Sequence, residues 1–301
     1  MTRILVVDDE PLIRGSLCEY LQDDYDVESA ASGPEALGML EQRPADLIIS
    51  DINMKPMNGI ELLVEAHRRW PETRRALITG YDVDDYIRLI KRHRITNVIT
   101  KATPFDFQEF VNTVKNILEP SRVFGLDRHL GADATLRRRR LRTHEEKDAM
   151  TEEMVSALHP LIEVPRRAFE LRLVFEEIVN NSFFHAFRNA DGTPVHSKDR
   201  QDDLAEHEEV TVEYGHDAEQ VGFSVTDSAG SLSVDRFLEK IERQVTQDGL
   251  MDEDGRGLFL ARAFSSRLIV NIEPSRRTQI IVLFHRHRDP AHKPLYLNLV
   301  D

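Results

Sequence analysis

Short, dense apolar runs alternate in the first third of the chain with stretches whose apolar positions recur every three or four residues. RILVVDDE (3–10), DLIISD (46–51), ALITG (76–80) and NVITK (97–101) open with the length and density of buried strands. PLIRGSLCEYLQ (11–22), GPEALGMLEQ (33–42) and FDFQEFVNTVKNIL (105–118) have helical spacing. Strands that alternate with helices predict α/β architecture, a doubly wound five-stranded parallel sheet with its functional groups at the strands' carboxyl ends. Beyond residue 134 the rhythm changes. TLRRRRLRT (135–143) reads as a strand, with an edge position where charge blocks unwanted pairing. A helix is expected near 147–159 with Thr151 as its N-cap, and Pro165 opens a longer one. VTVEY (210–214) with VGFSV (221–225), and RLIVNI (267–272) with TQIIVLF (278–284), read as two hairpins. SVDRFLEKIERQV (233–245) and LFLARAF (258–264) read as helices, so the second part is expected to be a two-layer α/β sandwich with helices on one face.

Chemistry collects where the first set of strands ends. Asp8 and Asp9, Asp51, Thr79 and Lys101 each close one strand, so a parallel sheet brings all five together. Three crowded carboxylates repel unless Mg²⁺ bridges them, and the ion then positions Asp51 as a nucleophile towards a phosphoryl donor. This set, over about 1–120, resembles the response-regulator receiver domain. The resemblance implies that Asn53 offers its backbone carbonyl to the metal beside Asp8, Asp9 and Asp51. It also implies that Thr79 and Lys101 hold the acquired phosphoryl group. Gly59 stands at the family's turn glycine, while Lys55 replaces its usual proline and Val98 its usual switch aromatic.

The helix RLVFEEIVNNSFFHA (172–186) carries an apolar stripe, Leu171, Val174, Phe175, Ile178 and Val179. Glu177, Asn181 and His185 recur at i, i+4 and i+8 and share another face. A carboxylate and a carboxamide one turn apart can divide phosphoryl transfer, one aligning a nucleophile and the other holding Mg²⁺. Downstream, VTDSAG (225–230) follows a strand and DGRGLFLA (254–261) opens a helix, where backbone N–H groups can meet phosphate. Taken together, these fragments resemble the Bergerat (GHKL) ATP-binding fold, most closely in the form found in anti-sigma-factor serine kinases, over roughly 135–286. The resemblance implies that Asn181 coordinates Mg²⁺ and Glu177 is the general base for an attacking protein hydroxyl. It implies further that Asp227 accepts a hydrogen bond from adenine, with Thr278 supporting the same ring through water. Gly230, Gly255, Arg256 and Gly257 would frame the nucleotide, and His185 would touch its region. The stretch 231–254 would be the lid, and its Arg236, Lys240 and Arg243 are read as an ordinary solvated face. Ala229 departs from the family's D-x-G-x-G box, and Arg277 stands where a glycine usually precedes the threonine.

Composition limits the partners. The formal charge of −14 divides evenly, −7 over 1–120 (14 Lys+Arg against 21 Asp+Glu) and −7 over 121–301, so neither half is a basic nucleic-acid reader. RRRR (137–140) is the exception. Cys18 is the single cysteine, read as a small core residue, which points to a reducing cytoplasm. The N-terminus enters a strand directly, so no signal peptide is expected, and no apolar run approaches the ~20 residues of a membrane span. The expected division is 1–120, a linker 121–134 bearing Gly125 and Gly131, 135–288, and a tail 289–301 that docks through Leu295, Tyr296 and Leu297. GTPVHSKDRQDDLAEHEE (192–209) reads as a mobile polar loop. His144 faintly resembles a sensor-kinase phosphoacceptor, but the ~40 residues before the asparagine helix cannot hold a two-helix dimerisation hairpin, so a surface position is expected.

The combined expectation is a cytoplasmic response regulator phosphorylated on Asp51 by a sensor histidine kinase or phosphotransfer protein. Its output would be an ATP- and Mg²⁺-dependent serine/threonine kinase acting on an anti-sigma antagonist, or a module that sequesters a sigma factor. No DNA or membrane partner is expected, and the resemblance allows a homodimer through either domain. The alternative is a non-catalytic switch, controlled by phosphorylation, that captures a protein with a degenerate ATP pocket.

Overall fold

The computed structural model describes residues 1–81, 83–101, 105–197, 203–245, 256–287 and 294–300. It comprises two units, Met1–Arg122 with Pro294–Tyr296, and Val123–Lys293 with Leu297–Asp301.

In the first unit the parallel strands β1 (Arg3–Val7), β2 (Asp26–Ala30), β3 (Leu47–Asp51), β4 (Arg74–Thr79) and β5 (Asn97–Thr100) lie in the order β2-β1-β3-β4-β5. Every residue of β1 and β3 is buried, as expected of central strands covered on both faces. Helices α1 (Pro11–Leu21), α2 (Gly33–Gln42), α3 (Gly59–Arg69) and α4 (Ile87–Arg92) provide the crossovers, and α5 (Phe107–Leu118) follows the last strand. Local chemistry sets their starts. Ser32 caps α2, Asn58 and Glu61 form a reciprocal capping box on α3, and Asp106 caps α5. Gly59 has to be glycine, because a Cβ there would collide with the Asp51 carbonyl oxygen. Cys18 is half-buried rather than a core residue, and burial raises its thiol pKa. Of the expected tail, Leu295 and Tyr296 pair antiparallel with Val98 and Asn97, and 288–293 lie outside the described residues.

The second unit has β6 (Thr135–Leu141), α6 (His144–Leu158), α7 (Pro165–Phe184), β7 (Val210–His216), β8 (Gln220–Asp227), α8 (Val234–Val245), α9 (Arg256–Phe264), β9 (Arg267–Glu273) and β10 (Arg277–His285). Its strands are antiparallel in the order β9-β10-β8-β7-β6. Odd-numbered β8 residues face the helices, as the edge-on contact of Phe223 with Phe175 of α7 shows at 5.1 Å between ring centroids. The apolar stripe of α7 is fully buried there.

Three expectations fail for local reasons. Helix α6 starts at His144, because Thr143 and Glu146 form a capping box, while Thr151 lies mid-helix and returns its hydroxyl to the Lys147 carbonyl. His144 is not a plain surface residue, since its ring packs on Phe183 and Phe184, with centroids 5.7 and 5.5 Å away. The described parts of 192–209 are anchored, with buried His196 and Glu208 in contact at 2.6 Å and Ala205 donating its N–H to the same carboxylate. Edge strand β6 is exposed from Thr135 to Arg140. Arg137 and Arg139 both reach Glu153, Arg140 binds Glu209 at 2.8 Å and Arg138 lies 3.9 Å from Glu213. Among the described residues no helix is long and apolar enough to cross a membrane.

Candidate functional sites

The expected residues of the first unit meet at the sheet's carboxyl edge. Asp8 is wholly buried after β1, Asp51 closes β3, Thr79 closes β4 and Lys101 follows β5. The Lys101 ammonium bridges the two acids, 2.8 Å from Asp8 Oδ2 and 2.5 Å from Asp51 Oδ1. Burial works against that charge, but the bonds to Asp51 and Asp8 outweigh it and raise the lysine pKa. Asp51 Oδ2 also accepts the Asn53 N–H at 2.6 Å, and Asp8 Oδ1 accepts the Glu10 N–H at 2.9 Å. Thr79 Oγ1 accepts the Tyr81 N–H at 3.0 Å. Asp9 is exposed beside them. Among the described residues no three His, Cys, Asp or Glu side chains are grouped tightly enough to hold a metal ion unaided. The donor set of Asp8, Asp51 and the Asn53 carbonyl is nonetheless all hard oxygen, which suits Mg²⁺. One contact had no sequence signal: the Tyr86 hydroxyl meets the Asn53 carboxamide at 3.3 Å, 33 positions away.

In the second unit α7 carries Glu177 and Asn181 one turn apart, and His185 is the C-cap residue that follows its last turn. Helix α9 crosses Glu177 and Asn181 closely, so that a Cβ on Gly257 would sit 2.5 Å from Asn181 Nδ2 and 3.2 Å from Glu177 Cβ. Asn181, His185, Asp227, Lys240, Leu258 and Thr278 line one pocket. Asp227 ends β8, 6% exposed, directly opposite Thr278 of β10. Burial pushes its pKa up to about 6, against backbone bonds from Gly230, Ala229 and Thr278 that favour the anion. The Ala229 and Gly230 N–H groups donate to Asp227 Oδ1 at 3.0 and 3.1 Å. Gly230 has φ +58°, and a Cβ there would lie 2.5 Å from the Glu273 carbonyl oxygen and the Arg276 nitrogen. Thr278 Oγ1 is buried without a hydrogen-bond partner among the described residues. An orphaned hydroxyl beside a buried carboxylate fits a polar heterocycle that offers hydrogen bonds to both. Gly255 lies outside the described residues, as does the side chain of Arg256.

The lid expectation needs one correction. Helix α8 buries Val234, Phe237, Leu238 and Ile241, and this sets Arg236 and Lys240 into the lining of the pocket rather than on a solvated face. Only Arg243 is exposed as expected. The i, i+4 spacing could have flagged the pair, but nothing local says which way the helix turns.

Residues 4–115 match the response regulator receiver domain, and residues 136–283 match the histidine kinase-like ATPase domain. The hydrogenase transcriptional regulatory protein HoxA of Cupriavidus necator is 33% identical over 117 residues, 38% of this chain and 24% of that protein. Sensor kinase CckA of Brucella abortus is 33% identical over 119 residues, 38% of this chain and 12% of that protein. This chain therefore spans a quarter or less of either relative. A CheY-like receiver domain protein from Methanospirillum hungatei is similar at 29% identity and TM-score 0.38, covering 42% of this chain and 99% of that one. The chain carries a receiver domain followed by a histidine kinase-like ATPase domain.

Proposed function

We propose that the protein is a response regulator whose output is nucleotide-dependent phosphorylation of a protein hydroxyl. The input partner is a sensor histidine kinase or phosphotransfer protein, whose phosphohistidine meets Asp51. The carboxylate attacks phosphorus, an acyl phosphate forms and the phosphorus–nitrogen bond breaks. Asp8, Asp9, Asp51 and the Asn53 carbonyl would hold Mg²⁺, which supplies charge compensation there. Thr79 and Lys101 are the donors within reach of the new phosphoryl oxygens.

The observation that carries the output reading is the pairing, in one pocket, of Asn181 with the buried Asp227 and orphaned Thr278. Asp227 and Thr278 would hold adenine, Asn181 would hold Mg²⁺ near the phosphates, and Arg236 and Lys240 add positive charge. Glu177 would take the proton of the attacking hydroxyl as the oxygen–phosphorus bond forms and ADP leaves. By the resemblance of its motifs, the substrate would be a serine on an anti-sigma antagonist, in a soluble cytoplasmic setting.

Ala229, which adds a methyl where the glycine box it resembles has none, favours a second reading in which the pocket binds without chemistry and the module captures a partner such as a sigma factor. Calorimetric titration with Mg-ATP tests binding, and Glu177→Ala separates the readings. A kinase loses phosphoryl transfer with nucleotide affinity within about threefold of the parent, whereas a pure binder keeps control of its partner. Absence of Mg-ATP binding by the parent protein would sink the kinase reading.

A further inference from the structure

Residues 123–131 leave the receiver domain and are fastened to the second unit's sheet by side chains that read their backbone. Gly125 donates its N–H to Gln279 Oε1 at 3.0 Å, Leu126 to Glu213 Oε2 at 3.1 Å and Gly131 to Asp217 Oδ2 at 2.7 Å. Asn271 Nδ2 donates to the Val123 carbonyl at 2.9 Å and also to Gln279 Oε1 at 3.1 Å. Gln279 continues to Thr226 Oγ1 at 3.0 Å, and Ser224 Oγ donates to Glu213 Oε2 at 3.0 Å. Phe124 is half-buried, with the Arg277 guanidinium 3.6 Å from its ring centre.

The strand partners Glu213, Ser224, Thr226, Asn271, Arg277 and Gln279 lie on the sheet face away from the helices, and Asp217 lies in the turn between β7 and β8. Strand alternation makes the consequence specific. On β10, Arg277 and Gln279 face the linker, while Thr278 and Ile280 line the nucleotide pocket. On β8, Ser224 and Thr226 face the linker, while Asp227 faces the pocket. The turn beside Arg277 is tied to the glycine box as well, since Ser275 donates its N–H to the Gly230 carbonyl at 3.1 Å. Arg277 Nε is held by Glu273 at 2.7 Å, and the Glu273 carbonyl packs against Gly230.

We propose that Phe124 and Arg277 are a positioning pair through which the segment leaving the receiver domain sets the geometry, and hence the affinity, of the adenine pocket. Phe124 docked on Arg277 holds the start of β10, which places Thr278 opposite Asp227 and closes the 273–276 turn on Gly230. Phosphorylation of Asp51 then acts by changing how often the segment is docked, a population shift read as nucleotide affinity. This inference rests on the ATP reading above, and it supplies a physical role for Arg277 at a position where a related sequence would have glycine.

The test is Mg-ATP binding by calorimetry on the full chain, with and without beryllofluoride on Asp51, for the parent, Phe124→Leu, Phe124→Trp, Arg277→Lys and the double variant Phe124→Leu/Arg277→Lys. Each single loss of the stack weakens ATP about 3- to 5-fold, the double variant loses no more than either single one, and Phe124→Trp restores affinity. The difference between the beryllofluoride and free states shrinks in the same variants. Thermal unfolding followed alongside separates a folding defect, which would not track the state of Asp51. A parent that binds ATP together with variants that bind it identically in both states overturns the inference alone. A parent that does not bind ATP overturns the ATP reading and this inference with it.

Discussion

The carboxamide nitrogen of Asn181 stands 2.5 Å from where a side chain on Gly257 would begin, so the first turn of α9 and the middle of α7 share one narrow space. Gly257→Ala therefore displaces Asn181 and presses on Glu177 Cβ. The expected outcome is a loss of about 1–3 kcal/mol in stability and Mg-ATP binding weakened more than about tenfold. Urea unfolding and calorimetry measure the two effects separately. Nucleotide affinity equal to the parent's would show that Asn181 holds no part of it.

At the carboxyl edge of the first unit's sheet, Lys101 is the cation between two acids, with side-chain exposures of 12% for Lys101, 0% for Asp8 and 11% for Asp51. Lys101→Met leaves both carboxylates facing each other and costs about 3 kcal/mol near neutral pH. Because the lysine pKa is raised in the folded protein, its contribution is fully present below the ordinary value of 10.5 and is lost as pH rises through the folded value. The gap between parent and variant in urea midpoints should thus be constant from pH 7 to 9 and narrow only above 10.5. A gap that closed near neutral pH would remove Lys101 from this role.

Asp227 gives the opposite pH signature. Its pKa rises from the ordinary 3.8 to about 6 on folding, so the folded state holds a proton that the unfolded chain releases between those values. Stability without nucleotide falls as pH climbs from 4 to 6 and stays lower above, by at most about 3 kcal/mol. Asp227→Asn keeps an acceptor for the Ala229 and Gly230 N–H groups but cannot ionise. The variant should show no such fall, melt higher than the parent at pH 7.5 and lose its preference for adenine nucleotides. Parallel melting curves for the two proteins across that range would contradict the assignment.

Much of this was legible because it rests on short-range pattern. RILVV and LIISD are apolar enough to be central strands, and Asp8, Asp51, Thr79 and Lys101 fall at their ends by counting. Glu177 and Asn181 needed only helical spacing. Apolar periodicity places the start of α6 too late, because Thr143 and Glu146 decide it and the helix's run of charges dilutes the pattern. The orientation of α8 depends on which neighbours bury Phe237 and Ile241, so the pocket roles of Arg236 and Lys240 had no local signal. Gln279 bonds to Gly125 across 154 positions, and Asn271 to Val123 across 148. Such contacts belong to the folded sheet, and a one-dimensional reading sees there only a glycine-bearing connector.

The arginine ladder of β6 has a consequence for how copies of this protein behave in a crowd. An antiparallel approach of one such edge to another would set guanidinium against guanidinium along the whole ladder, and like charges directly opposite destabilise a strand pair. Glu153, Glu209 and Glu213 lie within ion-pair distance of the same arginines in their own molecule, yet the arginine side chains stay exposed to an approaching edge. An open row of backbone donors and acceptors is thereby fenced against the neighbour most often met at high concentration, another copy of itself.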